Sequence, residues 1–443
     1  MKVAKWKVLT VAGALVLGYA VSSQAVQLKV DDDTFANFGF WTKIRYNNFD
    51  DRADDDGTLN KPDYNRNVFD VVDARFNIEG QINNIVQFYG EIVTSGSYDK
   101  DVYEGGGLSR DSKAKFSEGG INLVFLPELQ LRLGKIRIPF TRDQQEARYS
   151  YIVQTDWLYD PQGLFKYWKK GLLRLAEGGA VLHGEIAKGM FRYDAGVFNQ
   201  ASDDEPLKNV AWAARVEFTP TMLGFNAETK TSARGWLHDT YLGKKGDILS
   251  IGVGYFTQDV AVNGTGTAPW DDRVGDVLGG ALLPGIDVDG NTPISTLDNA
   301  EELDVDAWTV DVYLEKRFGC AVINLEGAYV NWNDSHIAVD GDKEDSYYWY
   351  AKGQILYDQV IGIGKPALYV KYDYIEADKM YNDDDFEATR WGVGVNYYIV
   401  GNAARLTVGM DNVNYDDGAS DYLDSKGWED NITDWFVQAQ IMF

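Results

Sequence analysis

The feature that most restricts the fold of this chain is an alternation of apolar and polar residues with a period of two. Between positions 212 and 218, Trp212, Val216 and Phe218 occupy one set of alternate positions, whereas Arg215 and Glu217 occupy the other. Successive side chains of a β-strand point to opposite faces, so this pattern predicts strands with one apolar and one polar face. The same alternation recurs along the chain, for example at 38–46, 72–79, 86–92, 191–197 and 308–315.

Strand length and loop rhythm distinguish two folds that both alternate, a soluble β-sandwich and a membrane barrel. The alternating segments are about ten residues long, which is the length that a tilted strand needs to cross a bilayer. Their connections alternate between tight turns, such as Lys188-Gly189 and Gly401-Asn402, and long polar loops, such as 258–304. Short turns on one side and long loops on the other are typical of outer-membrane barrels. We therefore predict an all-β fold, a transmembrane antiparallel β-barrel with long extracellular loops and short periplasmic turns.

The alternating segments give an expected count of sixteen strands. An even count places both ends of the barrel on the periplasmic side and every long loop outside, except the segment 221–246. That segment is longer than periplasmic turns usually are, and if it holds two more strands the count becomes eighteen. The sixteen expected strands lie near residues 35–47, 68–81, 85–94, 115–126, 129–138, 178–187, 190–199, 209–219, 246–257, 306–317, 321–332, 346–357, 366–375, 388–399, 403–412 and 432–443.

The two ends of the chain carry patterns of export and membrane assembly. A basic start is followed by an apolar run from Val8 to Val21 and by small residues up to Ala25, which predicts a signal peptide over residues 1–25. The run is short for a membrane anchor, and polar residues follow it at once. At the other end, alternate residues back from the terminal Phe443 are apolar, as in final strands that the barrel-insertion machinery reads. We expect a barrel domain over residues 26–443 in a Gram-negative outer membrane.

Composition argues against several other classes of protein. The 13 Trp, 27 Tyr and 20 Phe are too many for a disordered chain, and a single cysteine, Cys320, excludes a disulfide scaffold. The net charge is −26, and it becomes −29 once the three lysines of the signal peptide are removed, which disfavours binding to nucleic acid. Three histidines leave little room for a histidine-rich metal site, and no serine lies in a Gly-x-Ser-x-Gly motif. No catalytic residue, metal or cofactor is expected, and the chain is not expected to be an enzyme.

Four parts of the chain, taken in order, resemble the phosphate-selective porin O/P family of Gram-negative outer membranes. The most specific is 131–140, where Gly134-Lys135 is followed by Pro139-Phe140; the others are 179–199, 213–220 and 365–374. Each piece is a loose pattern, and their succession over most of the chain carries the resemblance. It implies a sixteen-stranded barrel, usually a homotrimer, whose third long loop folds inward as a constriction. In this chain that loop is 139–177.

The expected function is therefore that of a porin, a water-filled channel through which ions and small hydrophilic solutes diffuse passively across outer-membrane lipid. Sixteen strands enclose an aqueous channel, whereas eight are filled by side chains. Lys135 and Arg137 fall out of phase with Arg132 and need a bulge to face inward. The candidate channel-lining and constriction residues are all basic: Lys43, Arg45, Arg75, Arg132, Lys135, Arg137, Arg142, Arg148, Lys169, Lys170 and Arg215.

The sequence leaves the selectivity of such a channel open. Arginine and lysine rings select anions or phosphate at a constriction. Acidic loops, such as 50–56 and 383–385, instead concentrate cations at the channel mouth, and the segment 287–291 has oxygen ligands suited to a divalent cation. The alternative function is a non-conducting structural or adhesive barrel with a plugged lumen, which a conductance measurement distinguishes from a porin.

Overall fold

The computed structural model describes residues 26–49, 66–94, 114–153, 176–199, 210–228, 237–261, 302–334, 344–381, 384–426 and 428–443. The signal peptide predicted over residues 1–25, the lysines Lys169 and Lys170 and the acidic segment 287–291 lie outside these residues. In the described part of the chain, seventeen strands form one antiparallel sheet: β1 (Val26–Lys29), β2 (Phe35–Phe49), β3 (Arg66–Gln81), β4 (Val86–Thr94), β5 (Lys115–Leu126), β6 (Leu129–Arg137), β7 (Ala176–Ile186), β8 (Phe191–Asn199), β9 (Val210–Phe218), β10 (Ile248–Ala261), β11 (Glu302–Phe318), β12 (Ala321–Asp334), β13 (Glu344–Tyr357), β14 (Lys365–Tyr381), β15 (Asp384–Val400), β16 (Ala404–Asp417) and β17 (Asn431–Met442).

Strands β2 to β17 form a closed barrel of sixteen strands, which confirms the predicted fold. Each strand pairs with the next along the chain, and β17 pairs with β2, for example Val437 with Tyr46. The short strand β1 was not predicted. It pairs with residues 35–38 of β2, beyond the point where β17 ends against Trp41, and so it covers the remaining periplasmic part of that strand.

The alternative count of eighteen strands is wrong. Strand β9 pairs directly with β10, as Phe218 does with Ile251, so the barrel wall has no gap for two further strands between them. The described parts of the intervening chain, 219–228 and 237–247, contain a 3-10 turn at Thr221–Leu223 and an isolated bridge at His238. This chain turns into the barrel instead of extending its wall.

The extracellular ends of several strands are longer than the sequence pattern indicated. Strand β14 continues to Tyr381 and strand β15 begins at Asp384. Most of the polar loop expected at 377–387 is therefore an extension of the β14–β15 hairpin. The loop expected at 414–430 contains a helix, Gly418–Lys426, which packs on β14, β15 and β16 through buried Ala419, Tyr422 and Leu423. No helix among the described residues is both long and apolar enough to span a bilayer.

The two faces of the wall differ as the alternation predicted. On β9, Trp212 and Val216 are 56% and 53% exposed, whereas Arg215 and Glu217 between them are buried. On β14, Leu368 and Val370 are exposed in the same way and Lys371 is buried. Apolar side chains on the outer face are what contact with lipid requires, and the charged side chains therefore line the inside of the barrel.

Candidate functional site

After β6 the chain turns into the barrel. We call residues 138–153 the internal segment; its side chains are buried except for partial exposure at Arg148 and Tyr149. A short helix, α1 (Arg142–Gln145), begins after Thr141, whose hydroxyl accepts a hydrogen bond from the Gln144 backbone N–H while the Gln144 side chain accepts one from the Thr141 N–H. This capping box satisfies two backbone donors inside the barrel and fixes the direction of the segment.

Arg137 ties the internal segment to the strands from which it leaves. Its guanidinium lies 2.9 Å from a carboxylate oxygen of Glu118 on β5. It also donates hydrogen bonds to the backbone oxygens of Gln144 and Glu146, at 3.0 and 2.7 Å. One buried side chain therefore joins the end of β6 to both the helix and the residue that follows it.

The start of the internal segment is held by the walls at β9 and β11. Arg215 donates a hydrogen bond to the backbone oxygen of Phe140 at 2.9 Å and pairs with Asp311 at 2.5 Å. Asp311 also accepts the backbone N–H of Arg142 at 3.1 Å. The predicted constriction residues Arg215 and Arg142 thus meet through one carboxylate.

Three carboxyl groups surround the ammonium of Lys352 on β13. Its Nζ lies 2.8 Å from Asp143, 3.3 Å from Glu146 and 3.0 Å from Glu326 on β12. Burial, together with the charges of Glu326 and Asp143, raises the pKa of Glu146 to about 8 although Lys352 opposes the shift. Arg142 is a second cation here, with its Nε 3.7 Å from Glu326, and the raised pKa of Glu146 means that the bound position of the segment favours the protonated form of this carboxyl group.

The end of the internal segment is fixed on the opposite side of the barrel. Four wall side chains, on β2, β17, β16 and β15, donate hydrogen bonds to backbone oxygens of the segment. They are Lys43 to Arg148 at 2.7 Å, Gln440 to Tyr149 at 2.8 Å, Arg405 to Tyr151 at 2.6 Å and Asn396 to Ile152 at 2.7 Å. The internal segment therefore leaves the wall at β6 and crosses the lumen.

A second segment enters the barrel from the other end. We call the described parts of the chain between β9 and β10, residues 219–228 and 237–247, the periplasmic insert. The backbone N–H groups of Tyr241, Leu242 and Gly243 donate to the Glu315 carboxylate on β11, at 3.0, 3.1 and 2.6 Å. The Leu242 side chain packs inside the barrel in a cluster with Val322, Leu356, Ala367 and Tyr398.

The two segments meet inside the barrel through backbone and charge. Ala147 donates its N–H to the His238 backbone oxygen at 2.8 Å, and His238 donates its own to Gln145 at 2.9 Å. Arg142 approaches both carboxylate oxygens of Glu228, at 2.6 and 2.9 Å. Burial alone raises the pKa of Glu228, but the charges of Arg142 and then His238 outweigh it and hold that pKa well below its ordinary value. Glu228 is therefore an anion that Arg142 neutralises.

Among the residues that the structure describes, two groups have the spacing to hold a metal ion, and each contains carboxylates that already contact a basic side chain. Glu217, Glu228 and His238 form one group, and Asp143, Glu146 and Glu326 form the other. Arg142 occupies the first through Glu228, and Lys352 occupies the second through all three carboxyl groups. The structure thus uses its own cations as the counter-charges at both places.

Elsewhere the charged lining is paired within the wall. We call β3–β8 the near wall and β9–β17 with β2 the far wall. On the near wall, Arg75 pairs with Asp73 at 2.7 Å and also with Glu91 on β4, and Arg132 on β6 pairs with Asp194 on β8. Cross-strand ion pairs of this kind hold neighbouring strands in register.

The predicted site residues occupy different positions. Arg142 and Arg148 are part of the internal segment, and Lys43, Arg137 and Arg215 contact it directly. Arg75 and Arg132 lie on the near wall, and Arg45 donates to Gln438 and lies over the Phe436 ring. The register of β6 runs through Gly134 without a shift, so Lys135 stays on the outer face with Leu131 and Leu133, and its Nζ donates to the backbone oxygen of Phe116.

Sequence reasoning missed several of the residues that hold the internal segment across the lumen, among them Lys352, Gln440 and Asn396. The alternation placed Lys352 and Glu315 on the polar face of their strands, but no local pattern connects Lys352 to Asp143, 209 positions away, or Glu315 to Tyr241, 74 positions away. His238 and Glu228 lie in a connection with no periodic pattern. The one available signal was the unusual length of the 221–246 connection, which could have indicated an inserted element.

No family model and no curated protein sequence matches this chain. Among solved structures, it is similar to OmpF of Salmonella typhi in complex with daunomycin, at 10% identity and a TM-score of 0.52 over 94% of this chain and 100% of that one. It is similar to the outer-membrane channel DcaP of Acinetobacter baumannii at 10% identity and a TM-score of 0.51, over 94% and 99% of the two chains. An anion-selective porin from Comamonas acidovorans matches at 11% identity and a TM-score of 0.49, over 93% and 100%.

At these identities the likeness shows the fold alone. The chain has the closed sixteen-stranded barrel found in outer-membrane porins.

Proposed function

We propose that this protein is an outer-membrane porin that lets ions and small hydrophilic solutes diffuse across the membrane, with the internal segment as its constriction. The observation that carries the proposal is the path of residues 138–153, which cross the lumen of a sixteen-stranded barrel and are fixed to its far side by Lys43, Gln440, Arg405 and Asn396. A barrel of this size encloses more space than its own side chains fill, so a segment lying across it sets the width that solutes meet.

The finer parts of the proposal concern selectivity and assembly. We propose a homotrimer after cleavage of the signal peptide, as the resemblance to the phosphate-selective porin O/P family implies. An anion preference is supported by the basic residues on or near the internal segment, but Arg142 is neutralised by Glu228 and Arg215 by Asp311. Arg148 is the basic residue of the segment whose side chain is partly exposed, at 31%, and the Asp73 carboxylate lies 3.9 Å from its guanidinium. We therefore assign control of selectivity to Arg148.

Planar-bilayer recording tests this proposal. The purified protein should give stepwise conductance, in threes if it is a trimer, and its reversal potential across a KCl gradient reports selectivity. Arg148→Gln should shift that potential toward cation selectivity, because a positive charge beside the permeation path is removed. Lys188→Gln is the matched control, since Lys188 is an exposed lysine in a periplasmic turn. Equal potentials for both variants and the wild type would remove Arg148 from the permeation path.

A second candidate, a non-conducting structural or adhesive barrel, is favoured by one observation. The interior contains an apolar cluster in which Ile138, Phe140 and Ala147 of the internal segment and Leu237 of the periplasmic insert pack with wall residues. Such packing is typical of a plug. Absence of conductance from folded, membrane-inserted protein under all salt and voltage conditions would support this candidate over the porin.

A further inference from the structure

We infer that the periplasmic insert is a latch that holds the internal segment across the lumen, and that its release widens the channel. This inference rests on the proposed porin function for its consequence. The contacts that carry it lie between Arg142, Glu146 and Ala147 of the internal segment and Glu228, His238 and Thr240 of the insert.

The length and path of the insert call for a role other than connecting two strands. Strands β9 and β10 are paired up to Phe218 and Ile251, so a tight turn could join them, as at the other periplasmic ends. The insert instead returns into the barrel, where the Glu315 carboxylate accepts three of its backbone N–H groups. Asn402, in the turn between β15 and β16, donates to the backbone oxygen of Thr240 at 2.9 Å. The insert is thus anchored on two separate parts of the far wall.

The insert contacts the internal segment in three ways: through backbone hydrogen bonds, through a side-chain hydroxyl group and through an ion pair. The backbones of Ala147 and His238 exchange hydrogen bonds with the facing chain at 2.8 and 2.9 Å. The Thr240 hydroxyl donates to Glu146 at 3.1 Å, and Glu228 holds both terminal nitrogens of Arg142. These insert contacts fall in the middle of the internal segment, between Arg142 and Ala147, where they add to the wall contacts that Lys352 makes with Asp143 and Glu146.

The chemistry of this contact suits a reversible latch. Most of its members are charged or polar and are well solvated once exposed to water, whereas its apolar members, Ala147 and Leu237, belong to one buried cluster. A buried ion pair gives little net stabilisation over its solvated partners, because the cost of removing both charges from water offsets their attraction. Two arrangements of the segment can then differ by a few kcal/mol, which is the range in which conformational equilibria are adjustable. An apolar contact of the same extent would hold the segment permanently.

The first test removes the charge of Glu228 in the full-length protein. Glu228→Gln weakens the hold on Arg142, and we expect backbone amides of residues 142–149 to exchange hydrogen for deuterium about tenfold faster, together with a higher mean conductance. Glu128→Gln is the matched control, because Glu128 is an exposed glutamate in the β5–β6 turn. Far-UV circular dichroism and heat-modified electrophoretic mobility establish that both variants form the barrel.

The second test closes and opens the latch in a single variant. Glu146 and His238 are bridge partners, so Glu146→Cys with His238→Cys places two thiols opposite each other. The exposed native Cys320 is replaced by serine in this background. The oxidised protein should show slow exchange in the internal segment and low conductance, and a reductant should raise both. Because the oxidised and reduced states share one sequence, a folding defect cannot account for the difference.

The outcomes separate the latch from the porin. The latch is wrong, and the porin stands, if two comparisons show no difference in conductance or in exchange. These are the comparison of Glu228→Gln with the wild type and that of the reduced with the oxidised cysteine variant. If exchange accelerates as expected but no variant conducts, the insert does hold the segment and the porin function is wrong. Faster exchange with unchanged conductance shows that the segment moves without widening the channel, and this also overturns the latch.

Discussion

The near wall and the far wall of this barrel are built from the same alternating strands but use their inward charges differently. On the near wall, Arg75 and Arg132 pair with carboxylates of the wall itself. On the far wall, Lys352 and Arg215 face carboxyl groups or backbone oxygens of the internal segment. Arg75 and Arg132 are therefore satisfied within the near wall, whereas Lys352 and Arg215 on the far wall complete their contacts only while the internal segment lies across the lumen.

This difference implies that the position of the internal segment is decided on the far wall. Displacing the segment leaves Arg75 and Arg132 with their partners, and Arg137 keeps Glu118 while it loses two backbone oxygens. The same displacement takes Asp143 and Glu146 from Lys352, and the donors Arg405 and Asn396 lose backbone oxygens. Variants on the two walls with the same chemistry should therefore have different effects on the segment.

The largest effect is expected from Lys352→Met. The variant leaves Asp143, Glu146 and Glu326 buried together without their common cation, which should cost about 3–5 kcal/mol of unfolding free energy and release the helix α1. Arg132→Met, on the near wall, also breaks a buried pair and should cost a similar amount. Urea unfolding in detergent measures both losses, and hydrogen exchange should show a mobile internal segment only in Lys352→Met. A mobile segment in both variants would contradict the division between the walls.

A smaller effect is expected from pH, through Glu146. Its pKa is about 8 in the folded protein, against 4.5 for an ordinary glutamate. The unfolded or released segment gives up this proton at lower pH, so the bound position is progressively destabilised as pH rises from about 4.5 to 8. We expect exchange in residues 142–149 to accelerate between about pH 4.5 and 8, beyond the intrinsic effect of base on amide exchange. Glu146→Gln should remove that additional acceleration while leaving the intrinsic effect, and an unchanged profile would exclude Glu146 as its source.

The smallest effect is expected at the end of the segment. Asn396→Ala removes the donor to the Ile152 backbone oxygen at 2.7 Å and should cost about 1–2 kcal/mol, because one buried acceptor loses its partner. Asn122→Ala is the counterpart on the near wall, where Asn122 donates to Gln87 and Gln130. Thermal unfolding should show similar losses for both, and faster exchange near residues 149–153 should appear only in Asn396→Ala.

The wall was predictable because strand alternation is a local property. The positions of Trp212, Arg215 and Val216 in the alternating pattern predict the face of the strand that each side chain occupies. The sixteen strands were predicted with boundaries close to those of the structure. Errors occurred where a local rule stopped applying. β1 is too short to alternate visibly, and β14 and β15 extend through residues that are polar because they project beyond the membrane.

The candidate site was predictable only in part. The resemblance to a porin family implied an inward loop at 139–177, and Arg142 and Arg148 were named as candidates within it. Lys135 was named from its neighbourhood, but an unshifted register keeps it on the outer face. The carboxyl partners of the basic residues, including Glu228, belong to elements far apart in the chain. No sequence pattern within one element predicts its partner in another.

By itself, the sequence determined that this chain forms a closed antiparallel barrel with apolar side chains outside and charges inside. That outcome follows from a period of two, which every strand satisfies independently of the others. Only the tertiary structure decided which inward charges meet. Closing the barrel brings β6 opposite β15 and β16, and it brings two segments from opposite ends into one enclosed space. Buried charges require partners there, and geometry alone determines that Arg142 finds Glu228 and Lys352 finds Asp143.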